Sequence, residues 1–145
     1  SGASRFYDIG DTLFRWEANA MRVQESRENY LEAILMLQKK LGYVRSVDVA
    51  NHLNFSRPSV SVAMANLRNL GLVTTDEHGF LHLTDEGRAE AERVLERHLL
   101  ITDWLVGLGV GAETAAEDAC RIEHVISQES FDCIRRHVEE RLRED

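Results

Sequence analysis

Apolar side chains in residues 27–41 recur as Tyr30, Ile34, Leu37 and Leu41, a spacing that keeps one face of an α-helix apolar until Gly42 stops the run. Ser46 can cap a short helix through Leu53 whose apolar side is Val47, Val49, Ala50 and Leu53. After the Asn54-Phe55 turn, Ser56 can cap a second helix, with Pro58 in its first turn and Val60, Met64 and Leu67 as its stripe. Two short helices across a tight turn predict a helix-turn-helix. Residues 72–75 and 80–83 read as strands around the polar turn Asp76-Glu77-His78-Gly79, and that hairpin is a wing.

The pattern then returns to helical spacing. Thr84 caps a long helix with Asp85 and Glu86 in its first turn, and its stripe runs Ala91, Val94, His98, Ile101, Leu105 towards Gly107 and Gly109. Residues 112–126 predict another helix with Ala112, Ala116, Ala119, Glu123 and Ile126 along one side, and Phe131, Ile134, Val138 and Leu142 define a last one. The expected fold is mainly α with a small β-hairpin: a winged helix-turn-helix over 22–85, then a helical domain over 86–145. Residues 1–21 form an N-terminal extension holding Phe6, Tyr7, Leu13, Phe14, Trp16 and Met21; a leader forming a short amphipathic helix is the simpler expectation, a docking arm the other.

With 43% apolar residues in 145, the chain can fold without covalent staples, and no apolar run reaches membrane-spanning length. Residues 1–20 lack the basic start and apolar centre of a secretory signal, and two cysteines, Cys120 and Cys133, make no disulfide framework, so a cytoplasmic setting with reduced thiols is expected. A net charge of −8 argues against nucleic acid as a single number, but its distribution does not: residues 21–83 carry +1, residues 84–145 carry −8. The surplus of carboxylates in the C-terminal half suits cation binding or a solvated surface.

The N-terminal turn of the second short helix would present Ser56, Arg57, Pro58, Ser59 and Ser61 to a major groove, with Arg57 able to bond guanine bidentately and the serines letting backbone approach phosphate. The same geometry also serves protein contacts, but cap, spacing and wing occur together here. Arg45, Arg68, Lys39 and Lys40 are secondary candidates for phosphate, or simply solvated surface.

Three predicted helices each carry one misfit. Glu32 lies on the first, His98 interrupts an apolar stripe, and Cys120-Arg121-Ile122-Glu123-His124 sets a thiol, a carboxylate and an imidazole at i, i+3 and i+4. Taken singly, a core histidine, a packed cysteine and a solvated Glu–His pair are ordinary; together they suit a transition metal, because an unpaired buried carboxylate is costly and a cation relieves it.

At these residues the chain resembles the metal-dependent repressors typified by the diphtheria toxin repressor and the manganese transport regulator, over roughly residues 24–143. Glu117-Asp118-Ala119-Cys120-Arg121-Ile122-Glu123-His124-Val125-Ile126-Ser127 carries the likeness most specifically, with Glu28-Asn29-Tyr30-Leu31-Glu32 and Glu96-Arg97-His98 matching more loosely. The resemblance implies a homodimer that reads palindromic double-stranded DNA, represses metal-uptake genes, and takes Mn(II) or Fe(II) as co-repressor through Glu32, His98, Cys120, Glu123 and His124. Asn29 falls on a further ligand position but offers only a neutral amide oxygen, and Thr102 and Ala116 lack the donors of the iron-responsive branch's ancillary site. Two rival readings are a winged-helix regulator answering a small organic ligand, with His98 and Glu123 as a hydrogen-bonded core pair, and a metalloenzyme using Glu32 as base.

Overall fold

A computed structural model of the chain describes the backbone of residues 2–144 and the side chains of residues 22–144. It orders six helices and one hairpin: α1 Gly2–Leu41, α2 Ser46–Leu53, α3 Arg57–Asn69, β1 Val73–Thr75, β2 Leu81–Leu83, α4 Asp85–Gly107, α5 Ala112–Ile122 and α6 Gln128–Glu144. Helix α1 starts far ahead of Arg27, where the apolar spacing alone placed it. The apolar side chains of residues 1–21 singled out above lie outside those described.

In the N-terminal lobe, Tyr30, Leu31, Ile34 and Leu35 of α1 pack against Val49 and Ala50 of α2, Val60, Met64 and Leu67 of α3, and Leu72, Val73 and Leu81 of the wing. Fully burying a Val, Leu, Ile or Met side chain of this set is worth about 1.5–3 kcal/mol. Asn54, at φ 57°, turns α2 towards α3, and Ser56 Oγ accepts from Ser59 N at 3.3 Å as the expected cap. The cap of α2 is a correction: Arg45, not Ser46, holds the N-cap position, and Asp48 closes the turn by accepting from Arg45 N at 2.9 Å.

The strands are each one residue shorter at the start than the apolar pattern suggested, and pair antiparallel with Val73 opposite Leu83 and Thr75 opposite Leu81. Asp76 organises the tip: its Oδ1 accepts from His78 N and Phe80 N, and Oδ2 meets His82 Nε2 at 2.8 Å. Leu81 N donates to Val44 O at 2.7 Å, which fastens the wing to the chain leaving α1. Arg68 reaches Thr75 Oγ1 at 3.1 Å and so braces the wing against α3.

Helix α4 connects both lobes. Thr84 caps it through Gly87 N, and Ala91 in its N-terminal half belongs to the first core, while Ile101 joins Ala119 and Phe131 in a second, smaller one. Between the two apolar clusters α4 presents Arg97 and His98. On α5 the buried positions are Ala115 and Ala119, not the expected Ala112 and Ala116, which are exposed and half-buried. Helix α5 also ends at Ile122, short of residue 126, so Glu123 and His124 sit on its C-terminal turn. On α6, Phe131 is buried, Ile134 and Val138 are half-buried and Leu142 is exposed. Among the described residues no helix is long and apolar enough to cross a membrane.

Candidate metal centre

The polar gap between the two cores collects side chains from α1, α4 and the α5–α6 turn. Glu32 on α1 is 7% exposed and Glu123 is 1% exposed, with the His124 side chain fully covered beside it. Donor atoms of Glu32, Glu123 and His124 lie within 4.8 Å of one another, and so do those of His98, Cys120 and Glu123. Glu123 belongs to both groups. Its Oε2 is 2.9 Å from His98 Nδ1, and Cys120 Sγ is 3.6 Å from that same nitrogen.

Helix periodicity explains part of this convergence. Cys120 and Glu123 are three apart and both turn to His98, while His124, at the frayed end of α5, turns instead to Glu28 of α1, 2.8 Å from its Nδ1. Cys120 and His124 thus fall in different donor groups, and Glu123 belongs to both. The His98–Glu123 hydrogen bond by itself is what the organic-ligand rival expects. The convergence of Glu32 and His124 on that same carboxylate is not.

Electrostatics tighten the picture. Burial pushes the Glu32 carboxyl up to about 8, helped by the adjacent Glu123. Hydrogen bonds with Cys120 and then Glu123 raise the His98 imidazole to about 10. For His124, burial acts downward but the carboxylates of Glu123 and Glu28 outweigh it, raising the ring to about 9. Burial acts upward on Glu123, yet His124, His98 and Glu32 together hold it below the usual carboxylate range. The same contacts that favour protons on Glu32, His98 and His124 favour the charged form of Glu123.

Among the described residues four buried side-chain atoms lack a hydrogen bond, Glu32 Oε2, His124 Nε2, Gln38 Oε1 and Arg97 Nε, and the first two belong to the cluster around Glu123. His124 Nε2 is 3.2 Å from Glu123 Oε1 but without hydrogen-bond alignment. Unpaired buried donors and acceptors are expensive, and two of them at the meeting point of carboxylate, imidazole and thiol fit a divalent transition metal. Asn29 is half-buried one position along from Glu28, and its amide has no hydrogen bond among the described residues.

Sequence spacing missed Glu28, Arg93 and Arg97. Arg97, 7% exposed, donates from Nη1 to the Glu123 and Ile126 carbonyls at 3.1 and 2.9 Å and from Nη2 to Gln128 Oε1 at 2.9 Å, with its guanidinium 5.2 Å from the Phe131 ring centre. Glu28 could have been found from its position four residues before Glu32, on the same face of α1. Arg97 gave no such signal, since it adjoins the histidine that already broke the stripe. Ser56, Arg57, Pro58, Ser59 and Ser61 are all exposed at the start of α3, with Ser56 and Ser59 hydroxyls 2.8 Å apart.

A winged helix-turn-helix joined by one long helix to a small helical domain, with a polar metal-type cluster at the junction, defines a DNA-binding regulator of the metal-responsive class. The comparisons agree: the iron dependent repressor N-terminal DNA binding domain matches residues 22–80, and the iron dependent repressor metal binding and dimerisation domain matches residues 84–143. The chain belongs to the iron-dependent repressor family. It is 35% identical over 122 residues to the transcriptional regulator MntR of Escherichia coli O157:H7, covering 84% of this chain and 78% of that protein. The fold superposes on the manganese regulator SloR with a TM-score of 0.70 at 25% identity, covering 78% of this chain and 53% of that one. A manganese-dependent transcriptional repressor in complex with manganese gives 0.69 at 29% identity, covering 74% and 50%. The chain spans about half the length of those two structures.

Proposed function

We propose that the protein is a transcriptional repressor of metal-uptake genes that acts in the cytoplasm as a homodimer on palindromic double-stranded DNA, with Mn(II) or Fe(II) as co-repressor and no enzymatic activity. The observation that carries this reading is the buried cluster sharing Glu123, with Glu32 Oε2 and His124 Nε2 unpaired beside it. Glu32, His98, Cys120, Glu123 and His124 would hold the ion, with Asn29 as a further oxygen donor. A divalent cation supplies there the positive charge that protons on Glu32, His98 and His124 otherwise provide.

The chain's own residues connect that site to DNA. Glu32 stands on α1, whose next turn (Ile34, Leu35) is core of the lobe that carries α3, so the setting of Glu32 and the setting of the recognition helix move together. The ion favours DNA binding to the extent that Glu32, His98 and Glu123 converge more closely in the DNA-competent arrangement than in the other. Arg57 reads base edges, Ser56, Ser59 and Ser61 approach phosphate, and Pro58 fixes the first turn. Half-buried Trp104 and Val138 with exposed Val106 and Leu142 line an apolar groove between α4 and α6, a face suited to a second copy.

Selection of duplexes from a random library by the Mn(II)-loaded protein, followed by anisotropy titration of the selected duplex with Mn(II) or with chelator, tests this. Tight binding only with the ion is expected. Equal affinity in chelator would overturn the co-repressor reading.

A further inference from the structure

Glu28 is a buried carboxylate that the proposed ligand set leaves unused. Its side chain is 3% exposed, yet three donors from three elements converge on it: Gln24 Nε2 at 3.0 Å and Arg93 Nη2 at 3.3 Å on Oε1, and His124 Nδ1 at 2.8 Å on Oε2. Both oxygens are therefore engaged, one of them by a guanidinium on α4. A carboxylate spent in this way is poorly placed to bind an ion, because an ion on it would have to displace Arg93 or lie against its charge.

The effect on His124 is directional. One ring nitrogen, Nδ1, faces Glu28, and the other, Nε2, is buried without an aligned partner next to Glu123 Oε1. A neutral imidazole carries one N–H, and which nitrogen keeps it is set by the hydrogen bond the other must forgo. A carboxylate accepting from Nδ1 fixes the N–H there, prevents the ring from turning over, and makes Nε2 the electron-richer donor.

We propose that Glu28 is a positioning residue of the metal centre: it holds His124 as the Nδ1–H form with Nε2 directed at Glu123 and Glu32, and does not itself ligate the ion. This rests on the metal reading given above. Arg93 and Gln24 keep Glu28 in place, so the aim of His124 depends on α1 and α4 being docked. The site's geometry is thereby conditional on the junction between the two lobes.

Chelator competition for Zn(II) and Co(II), run on the full chain and its Glu28→Ala, Glu28→Gln and Glu32→Gln variants, tests the proposal. Glu28→Ala should weaken Zn(II) binding by about 10–100-fold, the usual effect of losing an outer carboxylate on a ligating histidine. Glu28→Gln, whose amide oxygen still accepts from Nδ1–H, should recover part of that loss. The Co(II) visible absorption band should keep its shape in the Glu28→Gln variant and change in the Glu32→Gln variant. Long-range ¹H–¹⁵N spectra of ¹⁵N-histidine-labelled, Zn(II)-loaded protein should show His124 protonated at Nδ1. Unchanged affinity in Glu28→Ala overturns the proposal, as does a Co(II) band altered by Glu28→Gln in the way Glu32→Gln alters it, which would make Glu28 a ligand. If Glu28→Ala does not fold, the Glu28→Gln band and the His124 spectrum of the unsubstituted protein decide, and metal on Nδ1 overturns it. Failure of the unsubstituted protein to bind either ion would instead sink the metal reading itself.

Discussion

Arg97 holds Glu123 by its backbone, not by its charge. The guanidinium donates to the Glu123 carbonyl at 3.1 Å, while the Glu123 carboxylate turns away to His98 at 2.9 Å. Because Nη1 also takes the Ile126 carbonyl at 2.9 Å, one buried cation fixes both ends of the turn that carries Glu123 and His124. Replacing Arg97 with Leu leaves those carbonyls without a partner. The loss expected is about 1.5–3 kcal/mol, the range for hydrogen bonds to a charged group, together with weaker Zn(II) binding. Denaturant unfolding of the chelator-treated protein measures the first and chelator competition the second. Wild-type values for both would show that the turn is held by other contacts.

Gly87 sets the distance between α4 and the wing. It lies in the first turn of α4, where Thr84 Oγ1 accepts its N–H at 3.1 Å, and a Cβ added to it would overlap the carbonyl oxygen of Leu72. That carbonyl is already occupied by Thr84 N at 3.1 Å and cannot withdraw freely. Ala normally improves a helix interior over Gly by about 1 kcal/mol, but overlap with fixed backbone reverses the sign. Gly87→Ala should destabilise the protein by about 1–3 kcal/mol on thermal or denaturant unfolding. A stabilised variant would mean that α4 can shift away from the wing at little expense.

The elements that local chemistry controls were legible in the sequence. Ser56 and Thr84 cap where short-range hydrogen bonding places them, and the stripe Val60, Met64, Leu67 is buried on α3 as its spacing requires. What depends on distant partners was not. Residues 120–126 contain no glycine or proline to stop a helix, and α5 ends where Arg97 takes the Glu123 and Ile126 carbonyls that further helical turns would have used. Glu28 is covered by partners from α4 and the α5–α6 turn, which its own stretch of sequence does not reveal. His98 and Glu123 could be singled out beforehand because each interrupts an apolar stripe, Cys120 and His124 because they stand at helical spacing around Glu123, and the donor atoms of these residues and Glu32 fall in two groups that share Glu123.

Arg57 should separate DNA affinity from metal affinity. Its side chain is exposed at the first position of α3, and it makes no hydrogen bond or ion pair among the described residues, so truncation leaves the fold intact. Arg57→Ala should lower affinity for the selected duplex by about 1–3 kcal/mol, the discrimination of one good guanidinium–guanine pair, with Zn(II) affinity unchanged. Loss of binding spread evenly over all duplex sequences would reassign Arg57 to phosphate.

Acidity should act in opposite directions on stability and on metal affinity. In the metal-free protein Glu32 is raised from 4.5 to about 8, His124 from 6.5 to about 9 and His98 from 6.5 to about 10. Each folded value lies above the unfolded one, so each contribution to stability is complete below the unfolded value and is lost as pH rises through the folded one. Glu28 and Glu123 are displaced downward, and their contributions are present above 4.5 and lost on acidification. Chelator-treated protein should therefore be most stable near pH 4.5, lose stability above it as the Glu32 contribution falls away, and melt at still lower temperature once pH passes 6.5 and climbs towards 9. A divalent ion must displace the protons on Glu32, His98 and His124, so its affinity should instead rise across that same interval, with proton release on binding. Calorimetric melting of the chelator-treated chain and Zn(II) titration in two buffers of different ionisation enthalpy measure the two slopes. A melting temperature that rises with pH above 6.5, or metal uptake without proton release, would mean that these three groups are not protonated together in the cluster around Glu123.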